Sequence, residues 1–433
     1  MLHELVVKGS IVNPEGIHEV QIGIDEGYIT KLKKQGLNGE REIEARRCLI
    51  FPGFIDLHAH LREDSSHKWD YKEDFKSGTA AALHGGITTV VDMPNTPLPG
   101  INAARIREKK ELARAKSKGL LDILFYGGVA ESNLSTLAEM QKEVVAYKIY
   151  LAETGGLQIG EGTLPEALKA IEATSKPAVI HCEDQGIIDK REVKLKARGE
   201  IHSELRPAEA ELSAVKHVLS ATTASRNIKI NIAHVSVYDT VDLIKRYKNV
   251  HCEVTPHHLF FNRDDVLAKK SFLKMNPPLR TEGNRQRLLT AFREGRIDFL
   301  ATDHAPHTKE EKARDILDAP AGVPNLDTYG NFVAWLIVRC DVHPTLIARV
   351  CTYSPALFLG LNDRGRIEVG KKGNLTILDT QKRVKISSER LYTKCGWSPF
   401  EGYEFPGTVR HTISNGVVVT EYDEVLFTKS PIR

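Results

Sequence analysis

The sequence has little of what marks several large classes of protein. Its 433 residues contain six cysteines, at positions 48, 182, 252, 340, 351 and 395, and no Cys-x-x-Cys. That scatter excludes a disulfide framework and a zinc ribbon, and it reads as reduced, mostly buried thiols of a cytoplasmic protein. No apolar run approaches the ~20 residues needed to span a bilayer. The start, Met1-Leu-His-Glu-Leu-Val-Val-Lys8, lacks the basic residues, apolar stretch and small-residue cleavage site of a signal peptide. Charge of one sign is also scarce. Lys and Arg number 60 against 57 Asp and Glu, a net charge of +3, which argues against a nucleic-acid partner. There is no internal repeat and no low-complexity tract. What remains is an ordinary globular composition, 41% hydrophobic and 27% charged, long enough for one large domain plus a smaller one.

One stretch organises the rest: Phe51-Pro-Gly-Phe-Ile-Asp-Leu-His58-Ala-His60-Leu-Arg62. A mostly apolar run predicts a buried strand, and it ends in two histidines one residue apart. Side chains alternate across a strand, so residues i and i+2 share a side. His58 and His60 therefore present two imidazoles to one point, as a metal site requires; an exposed His-x-His at a strand end has the same pattern.

Residues 1–50 read as short strands (Glu4–Lys8, Val20–Ile24, Ile29–Leu32, Arg41–Ile43), with turns at Pro14-Glu-Gly16 and Asp25-Glu-Gly27. After His60 the pattern alternates. Strands are expected at Ile87–Asp92, Ile123–Tyr126, Val144–Tyr150, Ala178–His181, Ile228–His234, Val250–Val254 and Ile297–Asp303. Between them lie a charged helix over Arg105–Lys118, read as a solvated outer face, and amphipathic helices over Pro165–Ala173 and Pro207–Ser220. Eight strands with intervening helices, over about the 250 residues typical of the fold, predict an α/β protein built on a (β/α)8 TIM-like barrel. From residue 364 the pattern returns to short strands, with a hairpin turn at Asn415-Gly416. The expected organisation is a barrel over 51–363 and one small β-sandwich domain assembled from 1–50 and 364–433.

The polar residues fall at the strand ends. His58 and His60 end the first strand, Lys148 lies in the fourth, His181 ends the fifth, His234 the sixth and Asp303 the eighth. In such a barrel these ends share one rim, where active sites sit. Four His, one Lys and one Asp are a ligand count for two metal ions. A buried ammonium would repel cations, so Lys148 either snorkels to solvent or loses its proton. In the second case the free amine can take up carbon dioxide and become an anionic, bridging carbamate. Two divalent ions would lower the pKa of a shared water, leaving Asp303 to carry the proton from water to a leaving nitrogen. That chemistry suits amides, cyclic amides or phosphoesters. Arg62 offers a fork for a carboxylate or phosphate, or forms a surface ion pair; Asn95 and His307 add donors nearby. His3, His18, His67, His84, His202, His217, His343 and His411 are expected off the rim. His251, His257, His258 and His304 are expected to pack behind it.

The ordered motifs resemble those of dihydroorotases in the amidohydrolase superfamily. They are Asp56-Leu-His-Ala-His-Leu-Arg62, Asp92-Met-Pro-Asn-Thr96, Tyr147-Lys-Ile-Tyr-Leu-Ala-Glu-Thr154, His181-Cys-Glu183, Ala233-His-Val-Ser236, Glu253-Val-Thr-Pro-His-His-Leu-Phe260, Met275-Asn-Pro-Pro-Leu-Arg280, Thr302-Asp-His-Ala-Pro-His307 and Ser398-Pro-Phe-Glu-Gly402. The resemblance covers the whole chain. It implies one zinc on His58, His60 and Asp303, a second on His181 and His234, and an N6-carboxylated Lys148 bridging them. It implies substrate contacts from His60, Arg62, Asn95 and His307 to a carboxylate, and from Asn276, Ala321 and Gly322 to a pyrimidine ring. A metal-bridging hydroxide would be the nucleophile and Asp303 the general base and acid. The implied reaction is the reversible cyclisation of N-carbamoyl-L-aspartate to (S)-dihydroorotate in pyrimidine (UMP) synthesis, and an association with aspartate transcarbamoylase is an implied partner.

Three positions depart from the pattern. Gly155-Gly156 follows Thr154 where lysine-type relatives often place a bulky residue, and Ala321 stands where many have an aromatic one. Ala233 replaces the Cys that accompanies an extra metal site, so no third zinc is expected. Allantoinases and hydantoinases share the barrel and its metals but match the carboxylate-binding motifs less well. A non-catalytic relative would typically have lost ligands, and here all six positions are filled.

Overall fold

The computed structural model describes residues 2–195, 202–225, 227–422 and 424–428. Its centre is a parallel barrel of eight strands in sequence order: β1 Phe54–Ala59, β2 Ile87–Asp92, β3 Asp122–Gly128, β4 Ala146–Tyr150, β5 Ala178–His181, β6 Ile230–Ile232, β7 Val250–Val254 and β8 Phe299–Leu300. Each strand pairs with the next, and the seam between β8 and β1 is closed beyond the strands themselves. There Ala59 bridges His304, and the His60 amide donates to the His304 carbonyl at 2.7 Å. The buried Asp56 carboxylate accepts from the Thr302 amide at 2.9 Å, so a side chain completes the seam where the eighth strand is too short.

Helices cover the barrel for the reason their spacing predicts. Leu164–Glu172 buries Leu164, Ala167, Leu168 and Ile171, one face at i, i+3, i+4 and i+7. The helix Ala103–Ser117 is less solvated than its charge suggests. Its Lys109 is only 2% exposed and reaches inward to pair with Asp92 at 2.6 Å and to donate to the Met93 carbonyl at 3.3 Å. The end of β2 is thus held from behind.

The termini build one eight-stranded sheet. Leu2–Asn13 pairs in parallel with Asn38–Pro52, which pairs antiparallel with Leu375–Asp379 from the other end of the chain. The sheet curls until Tyr28–Lys33 meets the turn near residue 371, where the Ile29 amide donates to the Lys371 carbonyl at 2.8 Å. It encloses a core of its own that includes Val7, Ile22, Ile50, Ile377 and Ile413. Asn415 and Gly416, with φ of 49° and 79°, form the tight hairpin turn between Thr408–Ser414 and Val417–Glu421. The last five residues of the chain lie outside the described ones.

The opening run is two strands, not one. Pro52 closes the terminal-sheet strand, Phe54 opens β1, and Gly53 makes the corner with its amide on the Asn374 carbonyl at 2.8 Å. A Cβ at Gly53 would sit 2.2 Å from Thr88 Oγ1, so only glycine lets the chain pass. Among the described residues no helix is long and apolar enough to cross a membrane. All six cysteines are buried and free.

Candidate metal centre

The barrel brings the six expected residues to one rim. His58 Nε2 and His60 Nε2 lie 3.3 and 3.4 Å from the same oxygen, Oδ1 of Asp303. Across the cavity His181 Nδ1 and His234 Nε2 lie 2.9 Å apart, and the His58 and His234 rings are 5.1 Å apart between centroids. Strands β6 and β8 stop short of His234 and Asp303 because the backbone turns there, with φ of 38° and 44°; Arg62 has φ of 63°. Left-handed backbone is costly for these residues and persists where surrounding contacts impose it, commonly at functional sites. Here it turns the chain out of the sheet at each of the three side chains.

Partners behind the rings decide which nitrogen faces the cavity. His58 Nδ1–H donates to Glu253 at 2.7 Å, which turns Nε2 toward Asp303. His60 Nδ1–H donates to Asn95 Oδ1 at 2.8 Å, with the same result. His181 is reversed: Nε2–H donates to Glu183 at 2.9 Å, and Nδ1 faces His234. Burial pulls His181 down, His60 to about 3 and His234 well below the ordinary value, so all three are neutral imidazoles. Burial raises the Glu183 carboxyl, but Arg206 and the hydrogen bond from His181 bring it to about 2. Imidazole nitrogens aimed inward, beside a buried carboxylate, are a donor set for a divalent metal.

Lys148 does not snorkel. It is completely buried, its Nζ has no hydrogen-bond partner, and it lies 5.2 Å from the Tyr150 ring centroid. Burial lowers it to about 8, with Glu253 and Asp303 pulling the other way. An orphaned buried amine beside four histidines and a carboxylate fits a modified, metal-bridging lysine.

The cavity these rings face, about 210 Å³, is also lined by Arg62, Asn95, Asn276, His307, Ala321 and Gly322. Arg62 is 6% exposed, its Nε has no partner, and its Nη2 lies 3.3 Å from His307 Nε2. Lys72 Nζ donates to His307 Nδ1 at 3.2 Å, so Nε2 carries the proton and donates to the Ala321 carbonyl at 3.2 Å. A larger cavity of about 490 Å³ at the opposite end of the barrel, between Gln141, Pro177 and Phe358, contains no histidine, aspartate or cysteine.

Several residues of the site escape sequence reasoning. His202, expected off the rim, donates from Nε2 to Asn276 Oδ1 at 2.8 Å and so holds a residue that lines the cavity. It comes from the short helix His202–Leu205, whose approach to residue 276 no local pattern announces. Lys72 has no sequence signal either, while Tyr150, Glu183 and Glu253 lie within the quoted motifs but carry no assigned role there. His257, His258 and His304 do pack behind the rim; His251 instead packs on Phe299 and Phe358.

A barrel with this rim is the architecture of metal-dependent amidohydrolases, and a model of the amidohydrolase family matches residues 49–419. Dihydroorotase of Methanosarcina acetivorans is 35% identical over 94% of this chain and 90% of its own length. That of Thermococcus kodakarensis is 34% identical over 100% and 98%. Among solved structures, L-hydantoinase (dihydropyrimidinase) from Arthrobacter aurescens superposes with a TM-score of 0.93 at 27% identity, covering 98% of each chain. The chain belongs to the amidohydrolase family, within its dihydroorotase branch.

Proposed function

We propose that the chain is a dihydroorotase that interconverts N-carbamoyl-L-aspartate and (S)-dihydroorotate in pyrimidine synthesis. The observation that carries this reading is the buried Arg62 beside His307, a carboxylate-sized cationic subsite in the same 210 Å³ cavity as the histidine cluster. His58, His60 and Asp303 would hold one zinc and His181 and His234 the second, with Lys148 carboxylated between them. The Lys148 amine adds to carbon dioxide, forming an N–C bond and losing a proton. Burial, by lowering its pKa toward 8, enlarges the fraction of free amine this step needs. Bound there, two divalent cations would polarise the scissile carbonyl and acidify water.

The chain's own groups do the rest. Arg62, Asn95 and His307 bind the ring carboxylate, and Asn276 with Ala321 and Gly322 flanks the ring. Asp303 accepts a proton as water adds to the ring amide carbonyl. It returns the proton to the ring nitrogen as the C–N bond breaks. Cyclisation runs the same path backwards. The working unit in this reading is the barrel over 51–363, with the β-domain from 1–50 and 364–433 supporting it. The source of N-carbamoyl-L-aspartate is the reaction that carbamoylates aspartate, and the family resemblance extends to an association with that transcarbamoylase, checked by co-elution. The likeness to hydantoinases makes hydantoin the competing substrate. Ring opening of dihydroorotate in preference to hydantoin or allantoin supports the proposal; the reverse preference overturns it.

A further inference from the structure

Lys312 has no place in that chemistry, yet it is completely buried. It ends the short helix Lys309–Lys312, whose start is fixed by a capping box between Thr308 and Glu311. Its Nζ donates to three backbone carbonyls: Lys274 at 3.0 Å, Pro320 at 2.9 Å and Gly322 at 3.0 Å. An ammonium has three N–H groups and no acceptor, so the donor set is used in full. Burial and the nearby Lys274 charge pull its pKa down to about 7, while the three acceptors favour the ammonium, since a neutral amine has two N–H groups to share among them.

The three carbonyls belong to two segments that together form one wall of the cavity. Lys274 precedes Met275 and Asn276, while Pro320 and Gly322 flank Ala321. The Gly322 amide also donates to the Lys274 carbonyl, at 2.9 Å, so the segments are joined at one point. From the other side Ser271 Oγ donates to the Lys312 carbonyl at 2.5 Å and holds the helix end. An uncompensated buried ammonium would cost several kcal/mol. A methionine of similar length would fill the space and take the donor from all three carbonyls, leaving Lys274 only its bond from the Gly322 amide.

We infer that Lys312 is a positioning residue that fixes the ring-side wall of the substrate cavity, setting the spacing between Asn276 and Ala321–Gly322. The inference rests on the dihydroorotase reading of that wall. A wall held through backbone carbonyls governs how well the ring is bound, with little bearing on the proton transfers at Asp303.

The test compares wild type, Lys312→Met and Ser271→Ala in dihydroorotate hydrolysis, with metal content and melting temperature measured on each. Lys312→Met is expected to raise KM about tenfold or more, with kcat within about threefold and metal content unchanged, the signature of a displaced binding wall. Ser271→Ala keeps the ammonium and loosens its anchor, raising KM about twofold to fivefold. A folded, metal-loaded Lys312→Met with wild-type KM overturns the inference, as does a fall in kcat that tracks metal loss. If Lys312→Met does not fold, an unchanged KM in Ser271→Ala overturns it. A wild type inert toward dihydroorotate sinks the activity reading instead. The wall is then judged by amide exchange at Gly322, which must quicken in Ser271→Ala.

Discussion

Glu253 Oε1 accepts a hydrogen bond from His58 Nδ1 at 2.7 Å and another from the backbone amide of His234 at 3.2 Å. One completely buried carboxylate thus orients a ring on β1 and the backbone of a histidine beyond β6. Its second oxygen accepts from Asn231 Nδ2 at 2.9 Å, so it is saturated from within the barrel. The two halves of the proposed metal centre share a single support.

Replacing Glu253 with Gln removes the charge and weakens the acceptor that fixes the His58 tautomer. Metal affinity should fall by about 10- to 100-fold, with activity falling in step until excess zinc is supplied. Metal retained after dialysis, measured by atomic emission, checks this; full retention would remove Glu253 from the account.

Arg62→Lys keeps a positive charge but loses the planar fork. KM for dihydroorotate should rise by about 10- to 100-fold, the loss of a charge-assisted hydrogen bond of roughly 1.5–3 kcal/mol. Turnover of hydantoin, which has no carboxylate, should be unaffected. Equal losses on both substrates would mean that Arg62 shapes the pocket without reading the carboxylate.

His411 in the terminal sheet gives a pH dependence remote from the metals. Burial, then Arg410, lower it to about 4 from an unfolded value near 6.5. Between those values the unfolded chain takes up a proton that the folded chain refuses. Its contribution is therefore intact above pH 6.5 and is lost as pH falls toward 4. With Glu421 nearby to screen it, the loss should be roughly 1–2 kcal/mol. Denaturant midpoints of wild type and His411→Gln across this window should show the flatter slope in the variant.

What the sequence discloses follows from how local each signal is. His58 and His60 are legible because strand alternation needs only two residues, and His181 because an apolar run ends on it. The lengths of β6 and β8 are not legible, since the left-handed turns at His234 and Asp303 are imposed by the packed rim. The break at Gly53 depends on Thr88, thirty-five residues away, and reads locally as a continuous strand. Lys109 and Lys312 look like surface lysines on charged helices, and only tertiary packing turns them inward. His202 and Lys72 reach the lining residues Asn276 and His307 from loops and short helices whose routes no period encodes.

The central claim is a binuclear site bridged by a modified Lys148. Zinc content and dihydroorotate hydrolysis, measured together on wild type and Lys148→Ala, test it most directly. The account predicts about two metals per chain and ring opening in wild type, with both collapsing in the variant. A Lys148→Ala protein that keeps its metals and its activity would contradict it.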